Sequence, residues 1–199
     1  MPIEQQAPGP VDALGLLERS VAYTRASLQL VTDDRLDAPT PCRHWNVLHL
    51  LRHMDDSLAA LTDAAARGYV DLAPCRDADR SIDLAARIRT RACTLLGAWT
   101  ARSPTVDISV GGQLIVSDLL ASTGALEIAV HGWDLAAACG QPRPLPPRLV
   151  ADLWAVGPLL VSDADRPARF GKPIELARSA TAGERLLAFL GRTPRARCG

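Results

Sequence analysis

The 199-residue chain is 48% hydrophobic and 22% charged, and its 22 basic and 22 acidic residues cancel. This balance is typical of a globular protein with a full core, and it argues against nucleic-acid and membrane-surface partners, which need basic stripes or polybasic segments. No apolar run approaches the length of a membrane span, and the five cysteines are scattered without a C-x-x-C pair, so we expect a cytoplasmic protein with free thiols.

Six segments have the apolar spacing and end signals of helices. In chain order, we predict helices over residues 11–31, 46–68, 82–102, 117–139 and 146–156, and a short terminal helix between 181 and 191. Asn46 is a good N-cap residue, and Gly157-Pro158 break or end the fifth helix. Residues 1–10 read as a flexible leader without the cationic start of a secretory signal, 11–194 as a single domain and 195–199 as a tail.

The segments between the helices carry turn and loop residues. Residues 69–80 form a connector rich in Asp, Arg and Pro, residues 105–116 a short extended link around Gly111-Gly112, and residues 163–177 an irregular polar stretch. Thr181 and Glu184 have the spacing of a capping box. Long helices joined by loops predict an all-α fold, an up-down four-helix bundle with additional C-terminal helices.

The fourth helix carries acidic and imidazole side chains in a stripe that we expect to face the core. Glu127, His131 and Asp134 follow one another at steps of four and three residues, in line with Leu120 and Thr123. A buried carboxylate needs a partner or a metal ion, and helical bundles build metal sites from inward-facing Glu and His residues. Glu127 and His131 are therefore candidate ligands of a divalent metal ion, although such a pair can also lie on the surface or hydrogen bond in a core.

A three-ligand site needs one more donor from another helix. His53 is the best candidate, because the second helix is expected to pack beside the fourth; His49 lies one turn earlier, and His44 lies just before that helix. Spacing alone supports this choice weakly, and Asp134 could equally be an acid of the helix surface. Cys42 is more often a buried small residue than a nucleophile.

Three stretches of the sequence carry a family resemblance. They are TPCRHWNV with LLRH at 40–47 and 50–53, EIAVHGWDL at 127–135, and RFGKP with ERLLAFLGRTP at 169–173 and 184–194. The sequence resembles the DinB/YfiT-like metal-binding superfamily, and more narrowly the actinobacterial branch that includes the N-terminal domain of mycothiol-dependent maleylpyruvate isomerase.

The resemblance implies a DinB-like four-helix bundle in which His53, Glu127 and His131 hold a divalent metal ion, most often zinc or nickel. It also implies mycothiol as a co-substrate, so that a metal-held thiolate attacks a small electrophile in S-transfer or isomerisation. Asp134 would then orient His131 or receive a proton, as a residue behind a ligand does. His49 and His44 stand where relatives commonly have an acid, and these imidazoles could tune the site.

Alternatives remain open from the sequence. The same bundle could serve as a thiol-independent tailoring enzyme, a cyclase or hydrolase of secondary metabolism, or as a bundle that binds a metal or small ligand without chemistry. We expect the chain to lack the second, C-terminal domain of the isomerase, which argues against transferring the specific maleylpyruvate reaction to it. Bundles of this kind often pair through exposed helix faces, which leaves a homodimer as a further alternative.

Overall fold

The computed structural model describes residues 12–42, 44–70, 83–102, 106–166 and 169–194, so the predicted leader and tail lie outside the described residues. Its elements in chain order are α1 (Ala13–Leu28), α2 (Val47–Arg67), β1 (Tyr69–Val70), α3 (Asp83–Ala101), β2 (Ile108–Val110), β3 (Gln113–Ile115), α4 (Ser117–Ala138), α5 (Pro147–Leu160) and α6 (Ala182–Phe189). The predicted all-α class is confirmed, with two short 3₁₀ turns at Asp33–Arg35 and Asp163–Asp165. None of the helices in the described part of the chain is long and apolar enough to cross a bilayer.

The four long helices form a bundle around one apolar core. α1 packs mainly against α4 and also touches α3, while α2 packs against α3 and α4. The order around the bundle is therefore α1–α4–α2–α3, and α5 and α6 pack on each other beside α1 and α4. This arrangement places α2 next to α4, as predicted, and brings their histidines within reach of one another.

α4 is the central helix, and its burial differs from the prediction. From Gly124 to Ala136 it is buried on almost every side, because α1, α2 and α5 all pack against it. Leu120 and Glu127 are only half-buried and Thr123 is exposed, so the first half of the predicted inward stripe lies on the open side of the helix. The expectation that the whole stripe faces the core was wrong, since a helix surrounded by three neighbours is apolar all round and periodicity no longer marks one inner face.

The predicted starts of α2 and α6 are confirmed by their caps. The side chain of Asn46 accepts a hydrogen bond from the His49 amide, which fixes where α2 begins. At α6, Thr181 and Glu184 form the reciprocal capping box that their spacing indicated.

Three segments differ from the sequence prediction. The expected extended link is a β-hairpin, in which β2 pairs antiparallel with β3 across Gly111 and Gly112, whose positive φ angles of 56° and 83° suit a tight two-residue turn. β1 adds a parallel partner to β2, so part of the expected 69–80 connector is a strand. α5 continues through Pro158 to Leu160, since a proline near the last turn removes only one hydrogen bond and the Val161 amide still reaches the Gly157 carbonyl.

The contact between α1 and α4 depends on the absence of a side chain at Gly132. A Cβ placed there would overlap the side chain of Thr24 and lie 3.1 Å from its Cα atom. The Thr24 hydroxyl donates a 2.7 Å hydrogen bond to the Ile128 carbonyl, which holds the two helices at this distance. A side chain at position 132 would therefore have to displace the Thr24 side chain, which this hydrogen bond holds in place.

We expect Gly132→Ala to destabilise the protein by about 1–3 kcal/mol, the usual cost of overpacking a core. The measurement is urea-induced unfolding followed by circular dichroism. Gly97→Ala is the matched control, because Gly97 is an exposed residue of α3 with open space around its Cα atom, and it should gain up to about 1 kcal/mol from helix propensity. Equal stability of Gly132→Ala and the wild type would show that the contact tolerates a methyl group.

Candidate metal centre

His53 of α2 and Glu127 and His131 of α4 come together at the α2–α4 interface. One potential ligand atom of each lies within 4.8 Å of the others, and the His53 Nε2 atom is 3.6 Å from Glu127 Oε1. Two imidazoles and one carboxylate, with a spacing that one ion could bridge, form a donor set used by catalytic zinc sites. The structure thus brings together the three residues that the sequence nominated.

Trp45, just before α2, packs beside both imidazoles. Its ring centroid lies 4.7 Å from that of His53 and 6.1 Å from that of His131, and the two imidazoles meet edge to face at 5.0 Å. The indole therefore restricts both rings and covers part of the cluster.

A buried charge network lies behind His131. Its Nδ1 atom is 3.1 Å from Asp134 Oδ2, and Asp134 is completely buried. Arg192, beyond the end of α6, donates from its terminal nitrogen to Asp134 Oδ2 at 3.0 Å and from Nε to Oδ1 at 3.3 Å. With Nδ1 directed at the carboxylate, the Nε2 atom of His131 is the one left to face a ligand.

The electrostatics favour the charged forms of this network. Burial raises the pKa of Asp134, but the hydrogen bond from His131 and the charge of Arg192 outweigh it, so that pKa lies below its ordinary value. For Glu127, burial again raises the pKa, while His53, His131 and Arg169 lower it to a net decrease. Both carboxylates are therefore ionised at neutral pH, which suits a positively charged partner at the cluster.

The cluster is open on one side. The side chain of Glu127 is 41% exposed and that of His53 is 32% exposed, whereas that of His131 is 10% exposed. A small cleft between the long helices, lined in part by Glu127 and His131, is partly open to solvent. The arrangement thus has protein donors on one side and an open face on the other.

The other sequence candidates lie around the cluster rather than in it. The exposed His49 ring contacts the Asn46 side chain at the start of α2, with Nδ1 2.8 Å from Oδ1. His44 is exposed and has a positive φ of 69° in the loop before α2. Cys42 is a half-buried free thiol, and burial raises its pKa despite the charge of Arg192, as expected of a small packed residue more than of a nucleophile.

Sequence reasoning missed the roles of Trp45 and Arg192. Arg192 lies 58 positions after Asp134, so no helical spacing connects the two residues. The available signal was chemical, because a buried aspartate requires a cation or several donors. Trp45 lies eight positions before His53, on a loop whose path the sequence pattern does not define.

Comparison with known proteins identifies the family. The family model described as the mycothiol maleylpyruvate isomerase N-terminal domain matches residues 17–136. The chain belongs to this family. An uncharacterized protein of Mycobacterium tuberculosis, found in two strains, is 30% identical over 195 residues, which cover 93% of this chain and 100% of the relative.

Solved structures share the family fold. The crystal structure of mycothiol-dependent maleylpyruvate isomerase matches with a TM-score of 0.57 and 17% sequence identity, covering 72% of this chain and 68% of that one. A mutant of the isomerase matches with a TM-score of 0.56 and 16% identity, over the same shares of the two chains. At these identities the likeness establishes a common architecture, which agrees with the DinB-like bundle predicted for this family member.

We expect Arg192→Met to destabilise the protein by about 3–5 kcal/mol, because it leaves the fully buried Asp134 carboxylate without its cation. The free energy of unfolding from urea titration measures the loss. Arg148→Met, at an exposed site on α5, removes the same charge as a control and should change stability by less than about 0.5 kcal/mol. Similar losses of stability in both variants would mean that the effect comes from the change in net charge and that the contact between Arg192 and Asp134 adds nothing to stability.

Proposed function

We propose that this protein is a divalent-metal-dependent enzyme that uses a low-molecular-weight thiol of the mycothiol type against a small electrophile, as an S-transferase or isomerase. The observation that carries the proposal is the convergence of His53, Glu127 and His131, with a ligand atom of each within 4.8 Å of the others. Membership of the mycothiol maleylpyruvate isomerase N-terminal domain family supports the choice of thiol.

The residues fit a divalent cation. His53 and His131 would supply imidazole nitrogens and Glu127 a carboxylate oxygen, a set that suits zinc or nickel and leaves a coordination position for an exogenous group. When bound, such a cation supplies Lewis acidity that keeps a coordinated thiol deprotonated at neutral pH. The lowered pKa of Glu127 agrees with this role, because an ionised carboxylate is ready to bind a cation.

The surrounding side chains orient the donors. Asp134 accepts from the Nδ1–H of His131, so the imidazole is held in the tautomer that presents Nε2 to the cluster. Arg192 fixes both oxygens of that carboxylate and prevents it from turning away. Trp45 packs against His53 and restricts the orientation of its ring. His49, one turn before His53, is a candidate for proton transfer at the entrance.

We expect the purified wild type to contain about one equivalent of zinc or nickel, and His53→Ala and His131→Ala to contain almost none, because two remaining donors hold a divalent ion poorly. Inductively coupled plasma mass spectrometry after reconstitution and desalting measures the content. His49→Ala is the matched control on α2, since it removes an exposed imidazole outside the cluster and should keep the metal. Full metal content in His53→Ala would remove that residue from the ligand set.

We expect conversion of small electrophiles by the metal-loaded protein to require mycothiol, with loss of at least about 99% of the rate when the thiol is omitted, since a thiol nucleophile is consumed or recycled in the step. Liquid chromatography with mass detection follows the thioether adduct or the isomer. Metal-free His131→Ala in the same assay gives the background reaction. Turnover that persists without any thiol would instead support the thiol-independent cyclase or hydrolase, and metal binding without turnover would support a non-catalytic bundle.

A further inference from the structure

Exposed hydrophobic side chains are concentrated around the small sheet, which lies where α2 ends and α4 begins. In the part of the chain that the structure describes, seven large hydrophobic side chains are exposed, and only Leu159 and Leu176 lie elsewhere. The other five, referred to below as the apolar patch, are Tyr69, Val106, Leu114, Val116 and Leu119. Single exposed hydrophobic residues are common, but a group of this kind marks a contact surface.

The pairing of the strands shows which face of the sheet carries the patch. Ile108 lies opposite Ile115 in the antiparallel pair and is completely buried, so this row of side chains faces the core. Because side chains alternate between the two faces of a sheet, the adjacent row points outward. That row crosses all three strands through Tyr69, Ser109 and Leu114. Leu114 is 73% exposed and Tyr69 is 48% exposed, as expected for an uncovered face.

The patch continues from the sheet onto the start of α4. Val116 follows Leu114 by two residues in an extended conformation, so the two side chains lie on the same side of the chain. Leu119 lies one helical turn further on. Val106 is held beside them, because its carbonyl accepts a hydrogen bond from the Ser117 hydroxyl. The five side chains therefore form one continuous surface.

The size of the patch fits a weak but specific contact between two proteins. Each of its side chains is close to half exposed or more, and together they present apolar surface of the order of 500 Å², the size of the largest patches on soluble monomers. Two such patches in contact would remove about 1,000 Å² from water before any polar rim is counted, which is near the lower limit of specific interfaces.

The shape of the outward row favours a copy of the same surface. Ser109 is the small residue between Tyr69 and Leu114. Since neighbouring strands lie about 4.8 Å apart, the two large side chains are about 10 Å from each other, with a depression above the serine that one leucine can fill. We propose that the apolar patch binds the same patch of a second copy of this chain, with the two sheets packed face to face about a twofold axis.

The charges at the rim determine what kind of contact this is. Asp107 and Asp118 are exposed next to members of the patch, so two copies bring charges of the same sign together. The dimer is therefore held by apolar side chains and not by ion pairs. No candidate metal ligand belongs to the patch, so the inference is independent of the proposed function.

The test is sedimentation velocity of the full-length protein from about 1 µM to about 500 µM, over which we expect a monomer–dimer equilibrium with a dissociation constant of roughly 10–100 µM. The dimer should persist in about 0.5 M NaCl, because salt screens the repulsion between the aspartates and does not weaken an apolar contact. His53→Ala should dimerise as the wild type does. A wild type that stays monomeric at the highest concentration, or a dimer that dissociates in salt, would overturn the proposal.

Two variants test the contact itself. Leu114→Asp should weaken dimerisation at least about 30-fold, because each dimer then buries two carboxylates against apolar side chains. Leu159→Asp is the matched control, since Leu159 is 80% exposed on α5 and lies outside the patch, and it should leave the dissociation constant unchanged. Val116→Asp should also weaken the dimer without loss of stability, because Val116 is the N-cap of α4 and makes no side-chain cap hydrogen bond, whereas aspartate is a preferred N-cap residue.

NMR of ¹³C-methyl-labelled protein locates the surface. On dilution, the methyl signals of Leu114, Val116 and Leu119 should shift, and those of Leu159 should not. A dimer that survives both Leu114→Asp and Val116→Asp would use another face, such as an exposed helix, and would refute the assignment. Patch signals that shift with a lysine-rich peptide while the wild type remains monomeric would contradict it in favour of a cationic partner.

Discussion

The charged contact on which the candidate site most depends is the one made by the buried carboxylate of Asp134. It lies between His131 and Arg192, and so joins the middle of α4 to the chain beyond α6. An isolated carboxylate could not be buried here, since the loss of hydration is offset only by a matching cation and well-placed donors. The position of the C-terminal segment and the orientation of one candidate ligand are thus set by the same pair of oxygens. That is why a residue 58 positions away in sequence belongs to the description of this site.

The two carboxylates of α4 at this site have different surroundings. Asp134 is fully buried and faces Arg192, whereas Glu127, two turns earlier, is half-buried and faces His53 across the open side. One carboxylate therefore has protein partners that satisfy it, while the other has imidazoles and free space nearby. His131 lies between them and contacts both environments. One helix can place these residues in different surroundings, because residues three or four positions apart share a side of the helix but lie at successive heights along its axis.

Sequence reasoning succeeded where the signal was local. Asn46, Thr181 and Glu184 define helix starts through contacts within three residues, and the structure has those contacts. Glu127 and His131 are a fixed distance apart on any helix, so their proximity needed no tertiary knowledge. His53 was found through the expected neighbourhood of α2 and α4 and through the family resemblance. Trp45 and Arg192 could not be found in this way, because a loop path and a long-range ion pair depend on how the finished bundle closes.

The remaining constraint is the close approach of α1 and α4, which connects stability with the shape of the pocket. Gly132 allows Thr24 to touch the α4 backbone. In that contact the Thr24 hydroxyl donates its hydrogen bond to the Ile128 carbonyl. Thr24 and Ile128 both line the pocket, so the hydrogen bond that holds the helices together also removes a polar group from the pocket wall. The packing of α1 against α4 therefore also satisfies one of the polar groups that line the pocket. A larger residue at Gly132 would disturb the fold and the candidate binding site through one and the same displacement of α1.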